Sequence, residues 1–302
     1  MDVLFNWLSA MPGAVGQGMV WGIMAIGVFI TFRILDIADL TVDGSICTGG
    51  AVCAMLVLSG VNVWVALLAA TVAGMLTGML TGLFHTALGI PAILSGILTQ
   101  LMLWSINLKI MGKANIALPS RSYELILNRK EIAVTIGILA LFCIAIIVVL
   151  YWFFGTEMGA SLRATGNNLN MSHAQGINTN FTTVLGLMIS NGIVALSGAL
   201  LAQFQGFSDI NMGRGAIVIG LAAVIIGEAM VSRFGTGFII RLVGVVIGGI
   251  IYFAVYQTVI FIGLDPDLLK MLSAVVVAVF LGIPHLRKTL FAKRGKGGKK
   301  HA

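Results

Sequence analysis

Three carboxylates stand close together in ILDIADLTVDGSICTGG, the stretch from Ile34 to Gly50 that joins two strongly apolar segments. They are Asp36, Asp39 and Asp43. Acidic side chains are costly in or near lipid and are rarely placed there without a partner. The stretch therefore marks either a helix end that lies in water or an irregular segment that the protein itself covers.

The composition indicates an integral membrane protein. The chain has 302 residues, of which 59% are hydrophobic and only 10% are charged, whereas a soluble domain carries about 25% charged residues. Its 38 glycines are typical of packed transmembrane helices, where small residues let backbones approach closely. Most of the net charge of +7 lies in the C-terminal tail LRKTLFAKRGKGGKKHA. Beside a membrane helix such a tail indicates a cytoplasmic anchor, so no nucleic acid partner is expected.

Nine continuous apolar segments are candidates for membrane-spanning helices, which need about 20 residues each. They cover residues 14–34, 45–60, 64–85, 90–108, 132–154, 181–204, 212–230, 237–261 and 268–284. Because the runs are continuous and do not alternate, they favour a helical bundle over a β-barrel. The predicted fold is all-α: a polytopic membrane protein with about nine transmembrane helices, in one domain that spans residues 1–302.

The distribution of basic residues predicts the orientation of the chain. The basic tail, residues 285–302, should be cytoplasmic, and counting back four spans places the polar loop at 155–180 on the same side. Nine spans then place the N-terminus outside. The loop at 109–131 also falls outside although it carries five basic residues, which departs from the usual rule.

The sequence contains an internal repeat at a constant spacing of 170 residues. The matched pairs are Gly22 and Gly192, Ala25 and Ala195, Asp39 and Asp209, Gly50 and Gly220, Gly74 and Gly244, and Gly78 and Gly248. The two copies cover residues 14–108 and 181–284 and are linked by the span at 132–154. Because five spans separate their starts, the copies should face opposite ways, as inverted repeats do in transporters, with the substrate path between them.

Each copy has a polar motif where one span ends and a short span begins: ADLTVDG around Asp39 and SDINMGR around Asp209. An acid, then a hydroxyl or amide, then a glycine is the pattern of a broken helix, because the polar group caps backbone N–H groups and glycine relaxes the turn. Irregular backbone at membrane depth must line protein or a water-filled cavity. The expected path residues are Asp39, Thr41, Asp43, Gly44, Asp209, Asn211 and Gly213. Alternatively the acids are plain helix caps, and Asp36 in particular is solvated.

The polar loop GTEMGASLRATGNNLNMSHAQGIN follows the span at 132–154. Thr156 should cap a short helix that has Glu157 in its first turn. Gly166 should break this helix, and Asn167 or Asn168 should begin a second one. The alternative is a solvated connector, although so long and patterned a loop is unusual for that purpose.

Neither a nucleotide site nor a metal site is expected in this chain. The sequence has no G-x-x-x-x-G-K-[ST] motif, and its four histidines and three cysteines are scattered without metal-ligand spacing. No arrangement of side chains indicates catalysis within the membrane, so an enzyme is not expected.

Three stretches resemble the permease subunits of bacterial ABC importers of the branched-chain amino acid and ribose type. They are GVFITFRILDIADLTVDGSICTGGAV, TGLFHTALGIPAILSGILTQLMLWSINLKIMGKANIAL and the polar loop GTEMGASLRATGNNLNMSHAQGIN. The first two resemble a subgroup that is paired with lipoprotein-type binding proteins and in part linked to tryptophan or tyrosine uptake. The resemblance implies location in the bacterial cytoplasmic (inner) membrane. It also implies an amino acid substrate, and the subgroup points to one with an aromatic side chain.

The resemblance also implies partners. They are a second permease copy in a homodimer, two ATPase subunits that hold ATP and Mg, and an extracytoplasmic binding lipoprotein. The coupling loop that would dock on the ATPase includes Glu157, Met158, Gly159, Leu162, Arg163, Ala164 and Gly166. An external basic rim for the binding protein would comprise Lys113, Arg121, Arg129 and Lys130, unless these are merely solvated charges. The competing hypothesis is an ion-coupled secondary transporter of a small polar solute, in which Asp39, Asp43 or Glu228 couples a proton or sodium gradient.

Overall fold

The computed structural model describes residues 2–119, 123, 125–128, 131–231, 235, 237–261, 271, 274–275 and 278, and most of these residues are helical. The helices are α1 (Asp2–Phe29), α2 (Val42–Leu58), α3 (Val63–Thr86), α4 (Ala92–Met111), α5 (Ile132–Gly155), α6 (Glu157–Asn167), α7 (Leu169–Ala174), α8 (Thr179–Gln205), α9 (Ala216–Val231) and α10 (Phe238–Phe261). A five-residue π-helical turn, Ile30–Ile34, continues α1.

Six helices of the described chain are long and apolar enough to cross a membrane: α1 with its π-turn, α3, α4, α5, α8 and α10. The two shorter apolar helices are α2 and α9. These eight elements coincide with the first eight predicted spans. The ninth predicted span, residues 268–284, falls on a region where the structure describes only residues 271, 274–275 and 278, so the count of nine stays a prediction.

The helix contacts confirm an inverted repeat of three helices. Helix α1 packs closely on α10 as α8 does on α3, and α9 lies against α1 as α2 lies against α8. Exchanging α1–α3 with α8–α10 therefore leaves the contact scheme unchanged. Side-chain bonds between α1 and α8 join Gly27 to Ser190 and Val20 to Ser197, so these two central helices are antiparallel, as a two-fold axis in the membrane plane requires.

The constant spacing of 170 residues is wrong beyond the aspartate motifs. The starts of α2 and α9 are 174 residues apart, and those of α3 and α10 are 175 apart. Accordingly, Gly74 packs against α8, whereas its supposed partner Gly244 packs against α9. The reason is a longer turn between the second motif and α9, which shifts every later pair.

A small antiparallel sheet was not predicted. Strand β1 (Asn115–Ala117) pairs with β2 (Phe207–Asp209), so that Asn115 lies opposite Asp209. The sheet joins the segment after α4 to the segment after α8. Since α8 begins next to α6 and α7 and ends at β2, the sheet and these two short helices lie at opposite ends of the bundle.

Candidate functional site

The first break in the helical pattern follows α1. After the π-turn the chain has no regular structure from Leu35 to Asp39, and Asp36 takes φ of 57°. This left-handed conformation is uncommon for a residue with a side chain but is tolerated by aspartate. Asp36 is exposed, consistent with the solvated role expected for it.

Asp39 lies deep in the protein, with 2% of its surface exposed. One carboxylate oxygen accepts the backbone N–H of Thr41 at 2.9 Å, and the other accepts Nδ2 of Asn191 at 2.7 Å. At 1.5 Å per residue, Asn191 is about 18 Å from the start of α8 and about 21 Å from its end. Asp39 is thus held halfway along a membrane-spanning helix by a partner that its local sequence does not reveal.

Hydroxyl groups extend this buried polar cluster across four helices. Thr41 shares a hydrogen bond of 2.7 Å with Thr81, which donates to Thr99 at 2.9 Å. Ser45 donates to Oδ1 of Asn191 at 2.6 Å and lies 2.7 Å from the hydroxyl of Thr77. The cluster fixes the start of α2 against α3, α4 and α8.

Asp43 joins the starts of the two short helices. Its carboxylate oxygens accept the backbone N–H groups of Gly215 at 2.9 Å and Ile217 at 3.0 Å. A residue in the first turn of α2 therefore caps α9 from across the repeat. Bonds of Ser45 to Asn191 and of Gln203 to Cys53 make α2 parallel to α8, and α1 and α9 are both antiparallel to α10. The short helices therefore leave this point in opposite directions. The positive ends of both helix dipoles are directed toward one carboxylate.

Gly44 and Gly213 permit close packing around this point. A Cβ atom on Gly44 would lie 2.8 Å from the side chain of Leu103 in α4, and one on Gly213 would overlap the backbone carbonyl of Asp43. The next residue, Arg214, is exposed, and no carboxylate of the described residues forms an ion pair with it. A cation at this depth is not compatible with direct lipid exposure.

The second motif repeats the local geometry of the first in different surroundings. Asp209 accepts the N–H of Asn211 at 2.7 Å, just as Asp39 accepts that of Thr41. Its other oxygen accepts Nδ2 of Asn115 at 3.2 Å, so Asp209 belongs to the small sheet. Asn211 is exposed. Both helix interruptions predicted from the motifs are present, but only the first carboxylate is buried.

The polar loop forms two short helices. Thr156 caps α6 by accepting the N–H of Gly159 at 3.3 Å, and Asn168 caps α7 by accepting that of Met171 at 3.0 Å. These caps confirm the prediction. The predicted break at Gly166 is wrong, because α6 continues through it to Asn167. Glycine is needed there for another reason: a Cβ atom would overlap the backbone carbonyl of Ile34 at the end of the π-turn.

The residues of this loop separate into an inner and an outer set. Leu162 is fully buried and, like Leu35, reaches the backbone of Gly186 in α8; Gly159 packs on Phe154. The outer set comprises the exposed residues Glu157, Met158, Arg163, Leu169 and Met171. Ala164 is half-buried and lies between the inner and the outer set. Leu169 and Met171, 53% and 58% exposed, lie in the same loop but are not among the contact residues named from the sequence. Apolar side chains presented to solvent in this way are typical of a protein contact surface.

The expected external rim is mostly outside the described residues. Lys113 is exposed just after α4, whereas Arg121, Arg129 and Lys130 are not among the residues that the structure describes. Their joint role as a docking surface stays a prediction.

The carboxylates that an ion-coupled transporter would use each have a partner within the protein. Glu228 forms an ion pair with Arg33, and Asp39 and Asp43 are bound as described above. Within the described residues no cluster of three or more histidine, cysteine or acidic side chains could hold a metal ion. The geometry is that of a membrane bundle with one central discontinuity, the place where α2 and α9 begin at Asp43. Helix α6 lies against the π-turn that precedes α2.

Comparisons with known proteins agree with this architecture. A family model described as the permease component of branched-chain amino acid transport systems matches residues 11–282. A tyrosine transport system permease protein of Clostridioides difficile is 39% identical over 284 residues, which cover 94% of each chain. The fructose import permease protein FruF of Bifidobacterium longum is 26% identical and covers 80% of this chain and 68% of its own length. The solved structure of PsaBC from Streptococcus pneumoniae in complex with Fab has a TM-score of 0.53 at 16% identity, over 93% of this chain and 94% of that chain, a likeness of fold alone.

Proposed function

We propose that this chain forms the membrane path of an importer for an amino acid. The premise is that the chain belongs to the family of permease components of branched-chain amino acid transport systems. As a member of this family it is a multi-span ABC permease subunit and not an enzyme, and the ATPase is a separate subunit. The relative that transports tyrosine supports an amino acid substrate with an aromatic side chain.

The observation that carries the proposal is the meeting of α2 and α9 at Asp43. Two short helices that start at the same depth and leave in opposite directions divide the bundle into an outer and an inner half. The path would pass this point, lined by Asp43, Gly44 and Gly213 at the centre and by Asp209 and Asn211 farther out. Asp39 and Thr41 hold the break in shape through the buried polar cluster.

The contact between α6 and the π-turn offers a route by which ATP hydrolysis would act on the path. Gly166 lies against the carbonyl of Ile34, and Leu162 and Leu35 both pack at Gly186. Only a few residues farther on, Asp39 anchors the start of α2. A displacement of α6 by a docked ATPase would therefore reach the central discontinuity through a short and closely packed segment.

The proposed assembly contains a second copy of this chain, two ATPase subunits with ATP and Mg, and an extracytoplasmic binding lipoprotein. Exposed Arg214 supports the second copy, since water or protein must cover that face. The proposed location is the bacterial cytoplasmic (inner) membrane. α6, α7 and the basic tail would be cytoplasmic, and the small sheet, Lys113 and the N-terminus would be outside.

Transport in proteoliposomes tests this proposal. The chain would be reconstituted with its ATPase, and the binding protein and labelled tyrosine would be added on the opposite side. We expect uptake only when ATP and Mg reach the ATPase. Uptake driven by a proton or sodium gradient without ATP would support the ion-coupled alternative, and ATP-driven uptake of a sugar but of no amino acid would overturn the substrate assignment.

A further inference from the structure

A cavity of about 220 Å³ lies beside the central discontinuity, between α2, α4 and the loop that precedes α9. Since a water molecule occupies about 30 Å³ of liquid, the cavity has room for a small organic molecule. Its walls include Asp43, Trp104, Asn107 and Arg214. Trp104 and Asn107 were not among the expected path residues, because nothing in the local sequence of α4 distinguishes them.

Asn107 supplies a polar group that the protein does not satisfy. The residue is fully buried, its Nδ2 donates to the carbonyl of Gly44 at 3.4 Å, and its Oδ1 has no hydrogen-bond partner. Buried polar atoms are nearly always paired, so an unpaired one at a cavity wall needs an explanation. Less than 1 Å² of this oxygen is accessible while the cavity is empty, so a ligand that donates a hydrogen bond here would reach it after a rotation of the Asn107 side chain.

Arg214 and Asp43 place opposite charges on the same cavity. The residues on either side of Arg214 contact Asp43, and the guanidinium forms no ion pair with any described carboxylate. Each oxygen of Asp43 accepts one backbone N–H group and retains a further lone pair. The cavity therefore offers one site for a cationic group and one for an anionic group.

The remaining wall is apolar. Trp104 is 45% exposed and Leu101 is 64% exposed, and both belong to α4. An indole face binds aromatic and aliphatic groups well, and its N–H can donate to a polar tip. The three walls together match a zwitterion with a large apolar side chain better than they match a sugar, which has no charges to pair.

We propose that this cavity is a resting site for the transported amino acid within the membrane. The ammonium group lies at Asp43 and Oδ1 of Asn107, the carboxylate at Arg214, and the side chain against Trp104. This proposal rests on the proposed function as an amino acid permease, and it adds that the permease itself selects its substrate.

Binding to the intact transporter complex in nanodiscs, with the binding protein left out, tests the site. The probes are labelled tyrosine and, for comparison, labelled fructose. We expect saturable binding of tyrosine to the wild type and no binding of fructose. Arg214→Gln, Asn107→Ala and Trp104→Ala should each weaken tyrosine binding at least about tenfold, as the loss of one well-placed interaction does. Arg241→Gln and Trp152→Ala, which remove an arginine and a tryptophan elsewhere, are the matched controls.

Stability measurements separate binding from folding. Asn107→Leu keeps the branched shape of the side chain and removes both the unpaired oxygen and the long hydrogen bond to Gly44, so we expect its unfolding temperature to stay near that of the wild type while tyrosine binding is lost. Unchanged tyrosine binding in all three cavity variants would overturn the resting site but leave the proposed function intact, provided ATP-driven tyrosine uptake persists. Absence of amino acid uptake by the wild type would instead refute the proposed function itself.

Discussion

The hydrogen bond between Asp39 and Asn191 permits a stringent test, because its two partners can be exchanged. In Asp39→Asn, one amide atom must still accept the N–H of Thr41, so the amino group faces the amino group of Asn191 and the bond at 2.7 Å is lost. In Asn191→Asp, two carboxylates face each other. The double variant restores one donor and one acceptor.

The expected magnitude follows from the environment. A hydrogen bond to a charged group contributes about 1.5–3 kcal/mol in soluble proteins, whereas measured interactions between membrane helices average about 0.6 kcal/mol and reach about 1.7. Because Asp39 is 2% exposed and Asn191 is fully buried, we expect a coupling free energy near the upper membrane value, about 1.5 kcal/mol. Asn191→Asp alone should destabilise most.

The assay is the free energy of unfolding in mixed micelles for the wild type, both single variants and the double variant. Strictly additive effects, with a coupling below about 0.3–0.5 kcal/mol, would refute the interaction. Transport per folded molecule adds a second result. If Asp39 only anchors the break, transport should recover with stability in the double variant; if stability recovers and transport does not, Asp39 contacts the substrate.

Three further predictions concern other parts of the molecule. Asp43→Ala should lower the free energy of unfolding by about 1–2 kcal/mol through loss of the α9 cap, and an unchanged unfolding curve would contradict that cap. Gly166→Leu should abolish substrate-stimulated ATP hydrolysis, because the new side chain would displace the π-turn. Gly155→Leu is the control and should leave this activity unchanged, because nothing lies within 4 Å of a Cβ atom there. Equal activity of the two variants would argue against the contact between α6 and the π-turn. Arg163→Glu should abolish transport and stimulated ATP hydrolysis while the protein still inserts and folds, and normal assembly with the ATPase and normal transport would exclude α6 as the docking element.

Local signals were sufficient to predict most of the helices. Apolar runs of sufficient length gave the positions of α1–α5 and α8–α10, because a spanning helix must cover its own backbone polar groups. Thr156 and Asn168 were predicted as caps because a cap acts within three residues of its own position. The breaks at the two aspartate motifs were likewise predictable, since an acid, then a hydroxyl or amide, then a glycine recur there.

Contacts between distant segments could not be predicted in this way. Asp39 and Asn191 are separated by 152 residues, and an asparagine in an otherwise apolar helix does not specify its partner. A glycine such as Gly166 usually indicates a helix break. Here it lies within a helix, and its missing side chain lets α6 pack against the backbone of Ile34. The change in repeat spacing from 170 to 174 and 175 residues could not be predicted from the matched glycines, because glycines are frequent enough in this chain to match by chance.

The position of Asp43 has a mechanical consequence. A carboxylate that belongs to one repeat and holds the first turn of the other would act as a pivot. Helices α2 and α9 would then be lever arms of about 25 Å that extend from it to opposite faces of the membrane. A rotation of about 10° about this pivot would swing the far end of either arm through about 4 Å on this length, while the hydrogen bonds at the centre remain intact. Gates at the two faces would then open in turn while the contacts at the centre stay formed. The movements of the cycle would be confined to the far ends of α2 and α9.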